Sequence, residues 1–272
     1  MKNSKKYSPK VTKLFNVLKK KSTKQPMPQY KDSIEAVVYA LVSESMPQES
    51  SGRLYRRMMK HFVDFNDLRV SRREEILDVF KDSSAEFEKS AAAITQTLNS
   101  IFEKTNRVSL DGLTQEGKRH AHKELSEMEG ISPLAVSYCF LTAMGGHAIP
   151  LNAKMLDYLR TNELVHPNAT DMEIAGFLER QIAAADAYDF YLLLRHEAEH
   201  AQPASKIKKA VAKKKTTAKK TVAKKKTTAK KKAVSKKKTI AKKKAVSKKK
   251  TGAKKKAVVK KKPSAKKKTV KK

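Results

Sequence analysis

From Pro203 to Lys272 the chain holds 34 lysines and not one acidic or aromatic side chain. Such a segment has too little apolar surface to offset the entropy of ordering, and its like charges repel, so any folded part is expected from the preceding 202 residues. Of the chain's 62 Lys and Arg, 34 lie in this segment, so residues 1–202 hold 28 against all 27 Asp and Glu. Residues 1–24 take nine lysines and no acid, which leaves 19 basic and 27 acidic side chains for residues 25–202, a net charge of −8. The formal charge of +35 therefore belongs to two arms. The chain divides into a basic N-terminal arm with a first helix (1–24), a helical domain (25–202) and a disordered lysine-rich tail (203–272).

The tail selects a class of partner. Duplex DNA carries roughly one phosphate charge per 1.7 Å, and ammonium groups that replace its counterions gain affinity from their release. From Lys224 the tail keeps a six-residue period of KKK followed by three small or apolar residues, through Lys236 and Lys248 to the end. At about 100° per residue six residues turn a helix roughly 240° further round, so lysine would spread over every face. The tail also lacks Trp, Tyr, Phe, Arg, Asn and Gln, the side chains that stack on bases or read their edges. It is expected to bind phosphates without sequence preference, through Lys213, Lys224, Lys236, Lys248 and their neighbours, and would span ~230 Å fully extended at ~3.3 Å per residue. Its composition resembles the lysine- and alanine-rich tails of linker histones and of histone-like bacterial proteins. DNA is the expected partner; phosphate contacts alone do not separate DNA from RNA, and a solubility appendage or an acidic-membrane anchor is the bland alternative.

Residues 25–202 suffice for one domain with a real core, or for two small helical lobes sharing one. No apolar run approaches a membrane span, and MKNSKKYSPK has no hydrophobic region behind its charges, so a soluble intracellular protein with no membrane partner is expected, associated with nucleoid or nucleus. Cys139 is the only cysteine, which excludes an intramolecular disulfide, and reads as a small buried filler.

The body reads as all helix. Val11, Leu14, Phe15 and Leu18 share one face, and Ile34, Val37, Val38, Leu41 and Val42 repeat the pattern over 32–45. Further helices are expected over 51–62, 72–80, 84–103, 114–128, 132–143, 152–161, 170–182 and 185–200. Breaks fall at Pro and Gly, including Pro47, Gly112, Gly130, Gly145, Pro150 and Pro167. Strand alternation is absent.

Glu124 to Leu141, ELSEMEGISPLAVSYCFL, reads as a helix, a tight Gly-Ile-Ser turn and a second apolar helix. It resembles the helix-hairpin-helix of the endonuclease III family of DNA glycosylases, whose general pattern is L-P-G-[VI]-G-x-x-T-A. His147 to Met155, HAIPLNAKM, resembles the family's P-x-V-D-T-H-V loop. Ala40 to Met46, ALVSESM, is similar to its L-L-S-A-Q-T segment, and Glu88-Lys89-Ser90-Ala91 falls where the family has an N-K-A turn before a long helix. The resemblance spans about residues 10–165 and implies an all-α, multi-helix glycosylase-like fold.

What the resemblance implies for chemistry must be carried over residue by residue. The family's hairpin amides hold a DNA phosphate, which points to Gly130, Ile131 and Ser132 as DNA-binding positions, and Lys89 of the N-K-A-like segment is expected to bind DNA as well. Gly130 keeps the first glycine; Ser132 replaces the second, Pro133 has no amide hydrogen, and Glu129 adds negative charge. A plain connector between helices is the alternative role. Bifunctional members use a lysine to form a Schiff base with the sugar, and that position is Leu134, which has no amine. Eighteen residues later the family's aspartate is Asn152, which is no base at neutral pH and reads naturally as a helix N-cap. The family's base-filling glutamine corresponds to Ser45. Many members carry a four-cysteine iron–sulfur motif, which is missing here, so no such cluster and no other cofactor is expected.

Other polar groupings are less specific. Arg56, Arg57, Lys60, Arg69, Arg72 and Arg73 are candidate phosphate contacts that read equally well as solvated faces. His196-Glu197-Ala198-Glu199-His200 spells H-E-x-x-H, two imidazoles one helical turn apart with a carboxylate beside them, as in zinc proteases. No third ligand follows it before the tail, so it is read as a charged terminal helix without metal. The sequence thus points to a non-cleaving DNA-binding protein of endonuclease III type tethered by its tail. An active base-excision glycosylase with an atypical site, and a histone-like DNA compactor, are the competing readings.

Overall fold

The computed structural model describes residues 1–21 and 25–201. The tail positions Lys213, Lys224, Lys236 and Lys248 lie outside the described residues. Among those described the chain is all α, with no strand. Eleven α-helices follow in order: α1 Ser4–Lys19, α2 Ser33–Glu44, α3 Gln48–His61, α4 Phe65–Val70, α5 Arg73–Phe80, α6 Ala85–Thr105, α7 Lys118–Ser126, α8 Pro133–Thr142, α9 Ala153–Thr161, α10 Asp171–Gln181 and α11 Ala187–His200. None is long and apolar enough to cross a membrane.

Helix α2 is the spine. Asp32 caps it by accepting from the Ile34 amide at 3.0 Å, and the same oxygen accepts from the Leu110 amide at 3.3 Å, which pins the loop after α6 to the start of α2. Its sequence is apolar almost all round: Ile34, Val37, Val38, Leu41 and Val42 are buried, and Ala36 and Ala40 allow close approach. A helix apolar on every side must be enclosed, and α3, α6 and α8 pack directly against α2. Each fully buried Val, Leu or Ile contributes about 1.5–3 kcal/mol from removal of its surface from water.

Two helical groups hang on this spine. Helices α4 and α5 pack on α6, and α5 also on α3, while α1 packs on α10 and α11, α9 on α11, and α7 and α11 on α8. The stripe Tyr7, Val11, Phe15 and Leu18 of α1 is buried, with Phe15 edge-on to Phe190 at 5.3 Å. Helix α10 opens on a capping box in which Thr170 and Glu173 satisfy each other's backbone amides.

The helical pattern departs from expectation in two places. Helix α4 has only six residues, too short for a periodic signal, and is defined by Asp64 accepting from the Asp67 amide at 2.8 Å. The helix expected over 114–128 is a 3₁₀ turn, Leu113–Glu116, followed by α7, because Gly117 adopts φ 98 between them. The helix expected over 84–103 is α6, Ala85–Thr105, so residues 88–91, which the resemblance sets at a turn, lie inside it.

Candidate nucleic-acid interface

Helices α7 and α8 form the hairpin. Gly130 sits at its turn with φ 77, a left-handed conformation that L side chains rarely adopt. A Cβ there would lie 2.6 Å from Gln96 Cβ and 3.0 Å from the Ala93 carbonyl oxygen and the Thr97 amide nitrogen. Glycine is therefore required by the close approach of the hairpin to α6 as well as by the turn. The Glu129 amide donates to Ser100 Oγ at 3.1 Å, a second tie to the same helix.

Ser132 has extended backbone, φ −87, and its hydroxyl accepts from the Ala135 amide at 3.1 Å, while Pro133 fills the first helical position. A serine replaces the second glycine because this residue serves as an N-cap and has no need of positive φ. The Ile131 and Ser132 amides have no protein partner among the described residues, so they remain as donors at the turn. Lys89 is exposed and lies on the α6 stripe that meets the hairpin, one turn before Ala93. Glu129 is exposed as well, so the turn carries both signs of charge.

The two positions at which the resemblance puts chemistry are closed. Leu134 is 1% exposed within the core. Asn152 is 6% exposed, and its side-chain oxygen accepts from the Met155 amide at 2.9 Å, which makes it the N-cap of α9. Ser45 sits at the end of α2 with its hydroxyl 2.6 Å from Ser90 Oγ and 3.1 Å from the Glu86 carbonyl oxygen, a bond between α2 and α6. His147 Nε2 lies 2.8 Å from the Glu179 carbonyl oxygen, and its buried Nδ1 has no partner among the described residues. Burial raises the Glu179 carboxyl, and the nearby His147 and the Ile149 amide oppose that rise. Two of the candidate basic residues are engaged with the fold: exposed Arg57 donates to the Phe80 carbonyl at 2.9 Å, and Arg69 bonds Asn99 and covers the Phe102 ring at 4.2 Å.

A large open cleft lies elsewhere. Between α3, α11 and the end of α1 is a cleft of about 1040 Å³ lined by Tyr39, Tyr188, Arg53, Arg56, Glu49 and His196 among others. Its wall hides a wholly buried arginine. Arg195 donates from Nε to Glu199 at 2.8 Å, from Nη1 to Tyr191 Oη at 2.7 Å, and from Nη2 to the carbonyls of Ser43 and Met46 at the end of α2. Glu199 in turn accepts from the Gln48 amide at 3.0 Å, capping α3. A buried charge needs such satisfaction on every side. Around it Tyr30, Tyr39, Tyr138 and Tyr191 pack ring against ring, with Tyr30 Oη 2.8 Å from Tyr138 Oη. Burial raises the pKa of all four phenols and so opposes their ionisation. The sequence reading missed Arg195, although it falls four residues after Tyr191 on an apolar face. At the cleft's edge Glu49, His196 and His200 bring possible metal ligands together.

No protein-family model matches the chain, and no curated protein matches it in sequence. The fold is similar to solved DNA glycosylases. A trapped covalent intermediate of endonuclease III with DNA, an estranged-adenine complex, aligns at TM-score 0.56 and 12% identity over 72% of this chain and 88% of that one. The 8-oxoguanine glycosylase/lyase of Clostridium acetobutylicum, in complex with double-stranded DNA containing cytosine opposite 8-oxoG, gives TM-score 0.56 and 11% identity over 74% and 72%. A thermostable thymine-DNA glycosylase gives 0.51 and 14% over 71% and 86%. Among the described residues the fold is glycosylase-like and all helical, without a strand, and α7 and α8 form its helical hairpin.

Proposed function

We propose that this chain is a DNA-binding protein that neither excises bases nor cleaves the backbone, held on nucleic acid by its lysine-rich segment 203–272. One observation carries the non-cleaving half: the position expected to hold a nucleophilic lysine is Leu134, 1% exposed, and the position expected to hold a carboxylate is Asn152, committed to capping α9. An amide is neither a base nor a charge to stabilise a cationic sugar. The binding half rests on the fold, on the turn amides of Ile131 and Ser132 with Lys89 nearby, and on the polycation. The tail gives affinity without sequence preference and raises the folded domain's concentration along the duplex. No iron–sulfur cluster enters this reading, because one cysteine cannot supply four thiolates. Such a protein works inside the cell on nucleoid or chromatin.

The test is a paired assay with full-length protein on duplexes holding an abasic site, an oxidised pyrimidine or a mismatch. Expected are no base release, no strand break and no borohydride-trapped adduct, together with retention on DNA that falls steeply as salt rises. Preference for one modified duplex over excess undamaged competitor would identify the structure that is read. Base release that disappears in Asn152→Ala would overturn the proposal and establish an atypical glycosylase.

A further inference from the structure

We propose that Glu49, His196 and His200 form a binding site for a divalent transition-metal ion of the zinc class, joining α3 to α11 at the edge of the cleft. One ligand atom of each residue lies within 4.8 Å of the other two. His196 and His200 are one turn apart on α11, and their rings stack with centroids 4.2 Å apart. His200 Nδ1 lies 2.9 Å from the His196 carbonyl oxygen. A hydrogen bond of this kind holds the proton on Nδ1 and leaves Nε2 with the lone pair a metal needs.

The third ligand comes from upstream of H-E-x-x-H, from α3. Glu49 occupies the first turn of α3, and its position is built in. The Glu199 carboxylate accepts from the Gln48 amide, and Glu199 is itself held by the buried Arg195, so one ion pair fixes the register of α3 against the end of α11. Two imidazoles and a carboxylate suit zinc and its neighbours better than calcium or magnesium, which take all-oxygen sites. All three side chains are exposed, so their rotamers can close the 4.8 Å spread to the ~3.3 Å between ligands that metal–ligand bonds of about 2.0–2.1 Å imply in tetrahedral geometry. Three protein ligands leave a coordination position for water. His196 and Glu49 also line the cleft. Of the cations lining the cleft, Lys19 is paired with Asp186 at 2.7 Å and Lys21 with Glu197 at 3.3 Å, while Arg53 and Arg56 line it as well.

The inference is independent of DNA binding and can be tested without it. Full-length protein freed of metal by chelation is dialysed against Zn²⁺ and its bound metal counted, with Co²⁺ absorption reporting the ligand field. Expected is one equivalent of Zn²⁺, weakened about tenfold or more in Glu49→Gln and in His200→Ala, and unchanged in a His120→Ala/His122→Ala control. Because the ligands are exposed, both site variants should keep the apo protein's unfolding midpoint while losing its upward shift with Zn²⁺. Binding that persists in both site variants, that falls only in the control, or that depends on His200 but not Glu49 would overturn the three-ligand site, as would no binding at all.

Discussion

The N-termini of α8 and α9 and the wall between α3 and α11 both bring helix ends into the core, yet only the second keeps charge inside. At the first, Leu134 is packed among apolar side chains and Asn152 and Ser132 spend their polar atoms on capping. At the second, a guanidinium with no exposure is satisfied by a carboxylate, a phenol and two carbonyls, and a large cleft opens beside it. The contrast teaches that likeness to an enzyme fold does not place the polar, accessible chemistry where the fold's relatives in outline would lead one to seek it. Here that ground is sealed, and the polar ground has moved to α3 and α11.

The comparison breaks most forcefully if the sealed site accepts a charge. Leu134→Lys should lower the unfolding free energy by about 4–5 kcal/mol at neutral pH, since burial lowers an ammonium's pKa by some 3–5 units from about 10.4 and the amine sheds its proton once that value drops below the pH. Urea denaturation would measure it; a near-neutral effect would show that this helix end opens to solvent. Next in size is Arg195→Met, which strands Glu199 at 5% side-chain exposure and should cost about 3–5 kcal/mol in the same measurement. Recovery in the double variant Arg195→Met/Glu199→Gln would identify the stranded carboxylate as the cause. Asn152→Ala should cost about 1 kcal/mol as a lost cap, whereas Asn152→Asp, which caps as well, should change stability by only a few tenths. Neither variant should alter DNA cleavage, and a gain of base release in Asn152→Asp would reopen the sealed site.

The smallest effect at neutral pH comes from the groups whose ionisation burial opposes. The Cys139 thiol, which contacts the Ser33 carbonyl, is pushed up to about 12, and the packed tyrosines are raised in the same direction. Folded values above unfolded ones favour the protonated forms. Their contribution is therefore complete below about pH 9, the usual range of a free thiol, and is lost as pH rises beyond it. Tyrosinate absorbance should appear together with loss of helical circular dichroism, and Cys139 should resist a thiol reagent at pH 8 until the protein unfolds. Titration of the tyrosines while the helices remain intact would contradict the enclosed cluster.

Much of this was legible in advance, for definable reasons. Helices such as α2 and α6 carry periodic apolar residues over three or more turns, and caps such as Asn152 announce themselves by residue type beside a proline or a break. The hairpin was legible from Gly130 and the apolar run after it. Helix α4 was not, because six residues span fewer than two turns and show no period. Nor could the sequence tell whether Leu134 faced a cavity or the core, since a leucine suits both.

By itself the sequence determined that a near-neutral helical body carries a polycationic extension, and that the side chains for Schiff-base and carboxylate chemistry are missing at the positions the hairpin resemblance marks, because composition, period and residue identity are local properties. Tertiary structure alone decided that Gly130 is pressed against α6, that Arg195 is enclosed between α11 and the end of α2, and that Glu49 stands beside histidines nearly 150 residues away. Those are contacts between distant helices. Only packing a chain around a common apolar spine sets their distances.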